Sequence, residues 1–354
     1  MIKFFRHIRK SLIEQNKMGK YFKYAIGEIL LVMVGILLAL QINNWNQNKN
    51  DEQKVIKILE QIQKDLLNDI QEAQFFSDRY EVKDKILTHY FNGTMPEDFF
   101  KDNLSDFISV SLSTHTFVQN KQGYQRLNDQ IDIVSSKYDE VLSKLSRLYN
   151  ERSTFLLKNQ TKYNELVQDY RIYLYDNFDW MDNSRISLQN SEEAFNYFYS
   201  SDKHRKNLVK HRAFYNRYRG QLTVIKNQSL LCYLVIRDVL KDTNEFPDAI
   251  KNFGLEYSYN NINDFVGNYG LKNDSTPQNI IEKKYGVLFM SYPNQIELFS
   301  EGDILREHAK DSIGFVSSNL YIMKFERDSD DNVIGFKGYD INKSSDDVEL
   351  IKLD

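Results

Sequence analysis

The stretch Ala25-Ile-Gly-Glu-Ile-Leu-Leu-Val-Met-Val-Gly-Ile-Leu-Leu-Ala-Leu-Gln-Ile42 constrains this chain more than any other. Glu28 is its one charge, and it holds no Pro. A bilayer core of about 30 Å takes roughly 17–25 apolar residues as helix. Tyr21, Phe22 and Tyr24 before it and Trp45 after it are aromatics of the kind that sit at membrane interfaces. The pattern predicts a single transmembrane helix over 24–44. A signal peptide has a shorter apolar region and a small-residue cleavage site. Here the apolar run is long, and Gln-Ile-Asn-Asn-Trp follows it.

Charge sets the expected orientation. Lys3, Arg6, Arg9, Lys10, Lys17, Lys20 and Lys23 precede the span against Glu14 alone. Basic residues stay on the cytoplasmic side, so residues 1–23 are expected in the cytoplasm. The remainder then lies in the periplasm of a Gram-negative cell, with the span in the inner membrane. The apolar positions among these lysines also fit an amphipathic helix on an anionic leaflet. A plain positively charged anchor is the simpler reading.

Within the span, Glu28, Gly35, Ala39 and Ile42 step by 7, 4 and 3 and share one face. Gly35 and Ala39 are a small-xxx-small pair that permits close helix approach. A carboxylate at this depth needs a partner: a second copy, another membrane protein, or headgroups reached by snorkelling.

After the span, asparagines at 43, 44, 46, 48 and 50 disfavour helix, yet neither Pro nor Gly breaks the chain. Val55, Leu59, Ile62, Leu66, Ala73, Phe76 and Tyr80 recur at helical spacing. They predict a helix over 51–90, open to continuity with the span and ended by Asn92-Gly93 and Pro96. Residues 97–131 read as shorter helices with a turn at Gly123. A second long helix is expected over 134–176, on the stripe Val134, Tyr138, Val141, Leu145 and Leu148. Ser191 is placed to cap a short helix. The third long helix, 201–241, is the most regular. Leu208, His211, Tyr215, Tyr218, Leu222, Ile225, Ser229, Cys232, Ile236 and Val239 step by 3 and 4, the seam of helices packed side by side. Three long helices imply an antiparallel bundle over 45–245.

From 258 the apolar period becomes two. Asp264–Gly270, Tyr285–Tyr292, Gln295–Phe299, Leu320–Phe325 and Val333–Tyr339 read as strands, with Asp330-Asp331-Asn332 as a turn. They imply a small antiparallel barrel or sandwich over 258–354.

Two stretches carry resemblances. Tyr24-Ala-Ile-Gly-Glu-Ile-Leu-Leu-Val32 and Gly35-Ile-Leu-Leu-Ala-Leu-Gln-Ile-Asn-Asn-Trp-Asn46 resemble the signature of single-pass Gram-negative envelope proteins assigned only a domain of unknown function. Met1-Ile-Lys-Phe-Phe-Arg-His-Ile-Arg9 and, more loosely, Gly123-Tyr-Gln-Arg-Leu127 extend that likeness over roughly residues 1–240. It implies the topology above and no activity. Phe265-Val-Gly-Asn-Tyr269, the Leu-Phe-Met strand and the Asp-Asn-Val-Ile-Gly-Phe hairpin are similar to a C-terminal accessory domain of penicillin-binding-like hydrolases, over about 262–352. That likeness implies a lipocalin-like β structure without catalytic residues. The hydrolase domain it usually follows is absent from this sequence.

Chemistry is sparse. No Gly-x-Ser-x-Gly, His-Glu-x-x-His, phosphate loop or dinucleotide fingerprint occurs. His204 and His211 share a helix face, but Cys232 lies about six turns from His211, so no metal set forms. Asp328, Asp330 and Asn332 alternate as in a calcium loop, but Val333 and Tyr339 stand where its Gly and Glu belong. A solvated turn is the simpler reading. Cys232 is the one cysteine, so no intramolecular disulfide is possible. The formal net charge of −4 argues against a general nucleic-acid binder. Lys203, Arg205, Lys206, Lys210, Arg212, Arg217 and Arg219 stand against Asp202 alone. They fit an anionic partner, or a solvated helix face.

The expected fold class is α+β: an N-terminal transmembrane helix, an antiparallel helical bundle as a stalk, and a β domain at its distal end. The expected function is a non-enzymatic scaffold or interaction protein of the envelope. A ligand sensor signalling through a partner membrane protein and a hydrolase with a dispersed site are the alternatives. No cofactor is expected. The expected partners are the bilayer and, through the Glu28, Gly35 and Ala39 face, a second copy or another membrane protein.

Overall fold

The computed structural model describes residues 18–182, 191–257, 261–293, 303–316, 321–340 and 347–353. The basic residues before Met18 and the expected strand Gln295–Phe299 lie outside them, as do the side chains of Tyr21 and Tyr24.

One helix, α1, runs unbroken from Met18 to Phe91 over 74 residues, about 110 Å at 1.5 Å per residue. The expected anchor and the first bundle helix are therefore a single element. The large apolar side chains of its first part are each more than half exposed, from Ile26 through Leu40 to Ile42. From Val55 the same helix becomes core, with Leu59, Ile62, Leu66, Ala73, Tyr80 and Leu87 fully buried. It ends where Gly93 turns to φ +65° and the Thr94 N–H returns to the His89 carbonyl at 3.1 Å, a left-handed helix stop.

Short helices α2 (Glu97–Asp102) and α3 (Leu104–Leu112) follow. An irregular segment, 113–121, then leads into α4 (Gln122–Asp129). The second long helix is α5 (Asp139–Ser146) and α6 (Ser153–Asn177), joined by a π-helical turn at Arg147–Arg152. Ser191 caps α7 (Glu192–Ser200), its hydroxyl accepting the Ala194 N–H. The third long helix, α8 (Asp202–Leu240), buries Leu208, His211, Tyr215, Tyr218, Leu222, Ile225, Ser229, Cys232 and Ile236 as the spacing predicts. A short α9 (Asp248–Lys251) leads to the β region.

Gly123 is not a turn residue. It sits in the first turn of α4, against α1. A Cβ there would meet Ile62 Cγ1 at 2.7 Å, Asp65 Oδ2 at 2.9 Å and the Ile62 nitrogen at 3.2 Å. Glycine is required for this close approach of two helices.

Eight antiparallel strands follow in meander order: β1 (Gly267–Gly270), β2 (Asn279–Lys284), β3 (Val287–Ser291), β4 (Asp303–Ala309), β5 (Ser312–Phe315), β6 (Tyr321–Arg327), β7 (Val333–Asp340) and β8 (Val348–Leu353). β8 pairs back onto β1, so the sheet is a closed barrel. Its interior is filled by Phe265, Tyr269, Leu288, Met290, Met323, Phe325 and Phe336 among others. Tyr285 and Gly286 both have positive φ, the two-residue turn that matches strand twist. At the 328–332 turn, the Asp328 carboxylate accepts the backbone N–H groups of Asp330 and Asn332 at 2.9 and 2.8 Å.

The barrel does not cap the far end of a stalk. Outward-facing Val287, Phe289, Ile304 and Val316 belong to the bundle's core cluster, which explains why β3 is buried on both faces. The Tyr285 hydroxyl and the Lys284 ammonium reach Glu140, which lies two residues past Tyr138. Tyr138 donates to Glu52 of α1 at 2.6 Å. The barrel therefore flanks the end of the bundle nearest the exposed apolar stretch. The antiparallel course dictates this. α1 leads away from that stretch, and α8 returns, placing Leu240 and Lys241 beside Glu52 and Ile56.

Arg327 ties the barrel together. Its guanidinium donates to Asp311 at 2.9 Å, to Asp264 at 3.1 Å and to the Asp331 carbonyl at 2.6 Å. Replacing Arg327 with Met leaves two part-buried carboxylates without their cation, an expected loss of about 3 kcal/mol. Amide exchange should quicken in β5 and β6 while the bundle helices keep their protection.

Candidate functional site: the anchoring helix and the bundle interior

The first part of α1 is long and apolar enough to cross a membrane. An 18-residue window has mean hydropathy 2.4 and none of it is buried. Phe22 and Trp45 are 59% and 63% exposed and stand about 34 Å apart along the axis, a separation that brackets a hydrocarbon core of about 30 Å. The Lys49 ammonium lies over the Trp45 ring at 5.6 Å. Nothing stands within 4 Å of the space above Gly35, so this face is open for a neighbouring helix to approach.

The seven basic residues of α8 do not form one patch. Arg205, Arg212 and Arg219 recur every seven residues and turn toward α1. Arg212 pairs with Asp84 at 2.9 Å and donates to Thr88 at 2.9 Å. Arg219 reaches Glu81 at 4.0 Å, and Arg205 donates to the Phe91 carbonyl at 3.4 Å. Lys203, Lys206 and Lys210 face α6 instead, along a groove shared with Asp169 and Tyr173. Arg217 is exposed. Helical periodicity divides the charges between two faces, and α1 carboxylates neutralise one of them.

Inside the bundle, buried polar side chains serve the irregular segment 113–121. Backbone groups that leave regular structure in the interior need partners. The Lys83 ammonium donates to the Ser113 carbonyl at 2.8 Å. The Phe117 N–H donates to Gln160 Oε1 at 3.0 Å and to the Tyr218 hydroxyl at 3.1 Å. Asp69 accepts the Asn120 N–H at 2.9 Å, and Asp65 accepts the Gly123 N–H at 3.0 Å. Lys121 reaches the Tyr149 carbonyl, inside the π-helical turn, at 3.1 Å. None of Asp65, Asp69, Lys83 or Gln160 stood out in the sequence. Their signal was a polar residue at a position where the helical stripe calls for an apolar one.

Both seam histidines are fully buried and held by tyrosines. His211 Nε2 lies 3.0 Å from the Tyr163 hydroxyl, and His204 Nδ1 lies 2.6 Å from that of Tyr170. Burial pushes each imidazole down to about 3, so both are neutral. Burial also pushes the Tyr163 and Tyr170 hydroxyls well above their ordinary value. Neutral rings and un-ionised phenols are ill suited to proton transfer near neutral pH. Among the described residues, no group of three or more His, Cys, Asp or Glu is placed to hold a metal.

Among the described carboxylates, burial raises Glu72 and, far more strongly, Asp69. Burial pushes it up to about 8, and the neighbouring Asp65 and Glu72 charges add to this against the Asn120 N–H and Lys121. Its second oxygen has no hydrogen-bond partner. With a folded value above the ordinary 3.8, its contribution to stability is full below about pH 4 and is lost as pH rises through 8. His204 and His211 act with the opposite sign: their contribution is full above about 6.5 and is lost as pH falls toward 3. Asp69→Asn should therefore stabilise the chain at pH 8 by on the order of 1–3 kcal/mol. It should change little near pH 4. His211→Gln should flatten the acid limb only. Denaturant midpoints measured across pH 3–9 separate the two.

The model of a family of unknown function, DUF6090, matches residues 28–88. The matched stretch is α1 from Glu28 to three residues short of its end, and so includes most of the apolar run, Asp65, Asp69 and Lys83. No curated protein and no solved structure matches the chain. Over residues 28–88 this chain is similar to that family.

Proposed function

We propose that this chain is a non-enzymatic, membrane-anchored scaffold or interaction protein of the Gram-negative cell envelope. In this reading the apolar part of α1 spans the inner membrane. Residues 1–23 lie in the cytoplasm, and the bundle and barrel lie in the periplasm. One observation carries the proposal: the 74-residue α1 joins the exposed apolar stretch to the bundle core without a break. A rigid joint of this kind holds a folded body at a fixed height above a bilayer. The seven basic residues before the span support the orientation. Glu28, Gly35 and Ala39 would meet a second copy or another membrane helix.

The barrel is assigned to the second contact surface. Its closed meander, entered through Phe265-Val-Gly-Asn-Tyr269, supports kinship with the accessory β domains of penicillin-binding-like hydrolases. Its filled interior leaves the outer surface for contacts. Ile334 and Val348 are exposed there, at 45% and 40%.

In-cell photo-crosslinking tests the proposal. Crosslinkers at Ile29 and Val32, beside Glu28, and at Ile334 and Val348 should each give discrete protein adducts. Adducts to lipid and solvent alone would remove the scaffold reading. A reporter fused after Asp354 should be active only in the periplasm, and cytosolic activity would reverse the topology.

A further inference from the structure

Outside the span, α1 keeps one face that its own chain leaves uncovered. Ala73 and Tyr80 are fully buried, whereas Phe75 and Val82, on the opposite side of the helix, are 54% and 59% exposed. Phe75 is sheltered only in part. The Arg79 guanidinium lies over its ring at 5.2 Å, and the Phe76 ring tilts against it at 5.6 Å. The barrel flanks this face without covering it. The cleft between barrel and bundle is lined on α1 by Ile70, Gln71, Gln74, Phe75 and Asp78, so Phe75 stands at its rim and Val82 lies beyond it.

The same side of the helix carries the anchor face. Phe75 follows Ala39 by 36 residues, about ten turns at 3.6 residues per turn. Val82 follows Glu28 by 54 residues, about fifteen turns. Because α1 is unbroken from Met18 to Phe91, the phase set by Glu28, Gly35 and Ala39 in the span is carried outward to Phe75 and Val82.

Asp78 and Arg79 flank the line from Phe75 to Val82, about 50° to either side of it. Asp78 accepts from Gln74 at 2.6 Å. Among the described residues neither Asp78 nor Arg79 forms an ion pair. In a two-fold pair of parallel helices, each flank meets the opposite flank of its partner, as at the e and g positions of a coiled coil. Arg79 of each copy then faces Asp78 of the other, and Phe75 and Val82 close on their own counterparts. The patch is complementary to itself, and this selects a second copy as its occupant. Nearer the membrane the line carries Lys57 and Lys64 with Glu60 beside it, so contact there is ionic rather than apolar.

We propose that two copies of this chain pair in parallel along this face of α1, through Gly35 and Ala39 inside the membrane and through Phe75 and Val82, flanked by Asp78 and Arg79, outside it. The pairing rests on the reading of the first part of α1 as a membrane span, which points both copies the same way. It narrows the partner at that face to a second copy.

The test is a set of cysteine variants of the full chain in the membranes of the expressing cell, oxidised with copper–phenanthroline. Phe75→Cys and Val82→Cys should give disulfide-linked dimers. Glu81→Cys, exposed beside Val82 but about 100° round the helix, should not. The wild-type chain, with its buried Cys232, is the blank. Energy transfer between labelled copies in phosphatidylcholine vesicles gives a second measurement. Arg79→Glu sets like charges against each other and should weaken self-association about fivefold, the worth of two exposed ion pairs. Mixing it with Asp78→Lys chains should restore the pairing. Equal crosslinking at 75, 81 and 82, none at 75 and 82, or adducts of Phe75→Cys with a different protein alone would overturn the proposal, as would unchanged energy transfer in Arg79→Glu. Alkaline extraction of the same membranes reports on the anchor separately. A chain that resists alkali but gives no dimer fails as a pair while its anchoring stands, and a chain that alkali releases removes the anchor on which the pairing rests.

Discussion

Along α1 the helical hydrogen-bond ladder continues from residues with no packed neighbour to residues that are fully buried. The asparagines at 43, 44, 46, 48 and 50 are the weak point of this continuity. Each costs about 0.6 kcal/mol relative to Ala, about 3 kcal/mol together. Unwinding them would split one helix into two, and a second helix nucleus costs about 4 kcal/mol. The two terms are close, and continuity wins only because no Pro or Gly tips the balance. Everything downstream takes its position from this rod. α4 and α8 pack on its buried face, and the helix α5–α6 packs on α8 and reaches α1 through Tyr163 against Tyr80.

The second constraint is the irregular segment 113–121, which crosses the interior where a helix would have satisfied its own backbone. Three long helices supply polar side chains to it, Asp69 and Lys83 from α1, Gln160 from α6 and Tyr218 from α8, while its own Lys121 is accepted by the Tyr149 carbonyl in the π-helical turn. An unpaired buried donor or acceptor costs roughly 1–3 kcal/mol, so each of these bonds matters more for what its absence would cost than for what it adds. Of the two buried histidines, His211 adjoins this layer through Tyr163, whose hydroxyl lies 3.5 Å from the Ser113 carbonyl.

What was legible in the sequence is what periodicity encodes. The 3-and-4 stepping of Leu208 through Ile236 placed every buried residue of that seam. The Asn92-Gly93 stop and the Ser191 cap were written in local chemistry. Strands Asn279–Lys284, Asp303–Ala309, Ser312–Phe315 and Val348–Leu353 escaped because they are charged or short, and only barrel closure makes them strands. Gly123 was misread as a turn because a close helix–helix approach and a turn both call for glycine. The Arg205, Arg212 and Arg219 face was hidden for a simpler reason. Composition counts charges, while their neutralisation depends on Asp84 and Glu81, far away in the chain.

The position of the barrel follows from counting passes of the chain. α1 leads away from the exposed apolar stretch, the segment before Asp139 comes back, α5 and α6 lead away again, and α8 returns. After an even number of long passes the chain must emerge near where it began, and a short link to β1 leaves the barrel no other place to pack. A sequence with one more or one fewer long helix would have put it at the opposite end. The barrel is therefore a buttress beside the base of the bundle, and it seals its own outward-facing Phe289 and Ile304 against that base. The free tip is instead a tight aromatic cluster, Tyr90, Phe100, Phe107 and Phe198 around His204. Such a tip is packed too closely to open. The junction of bundle and barrel is instead a mixed seam, apolar where Phe289 and Ile304 join the bundle core and polar where Tyr285 and Lys284 reach Glu140.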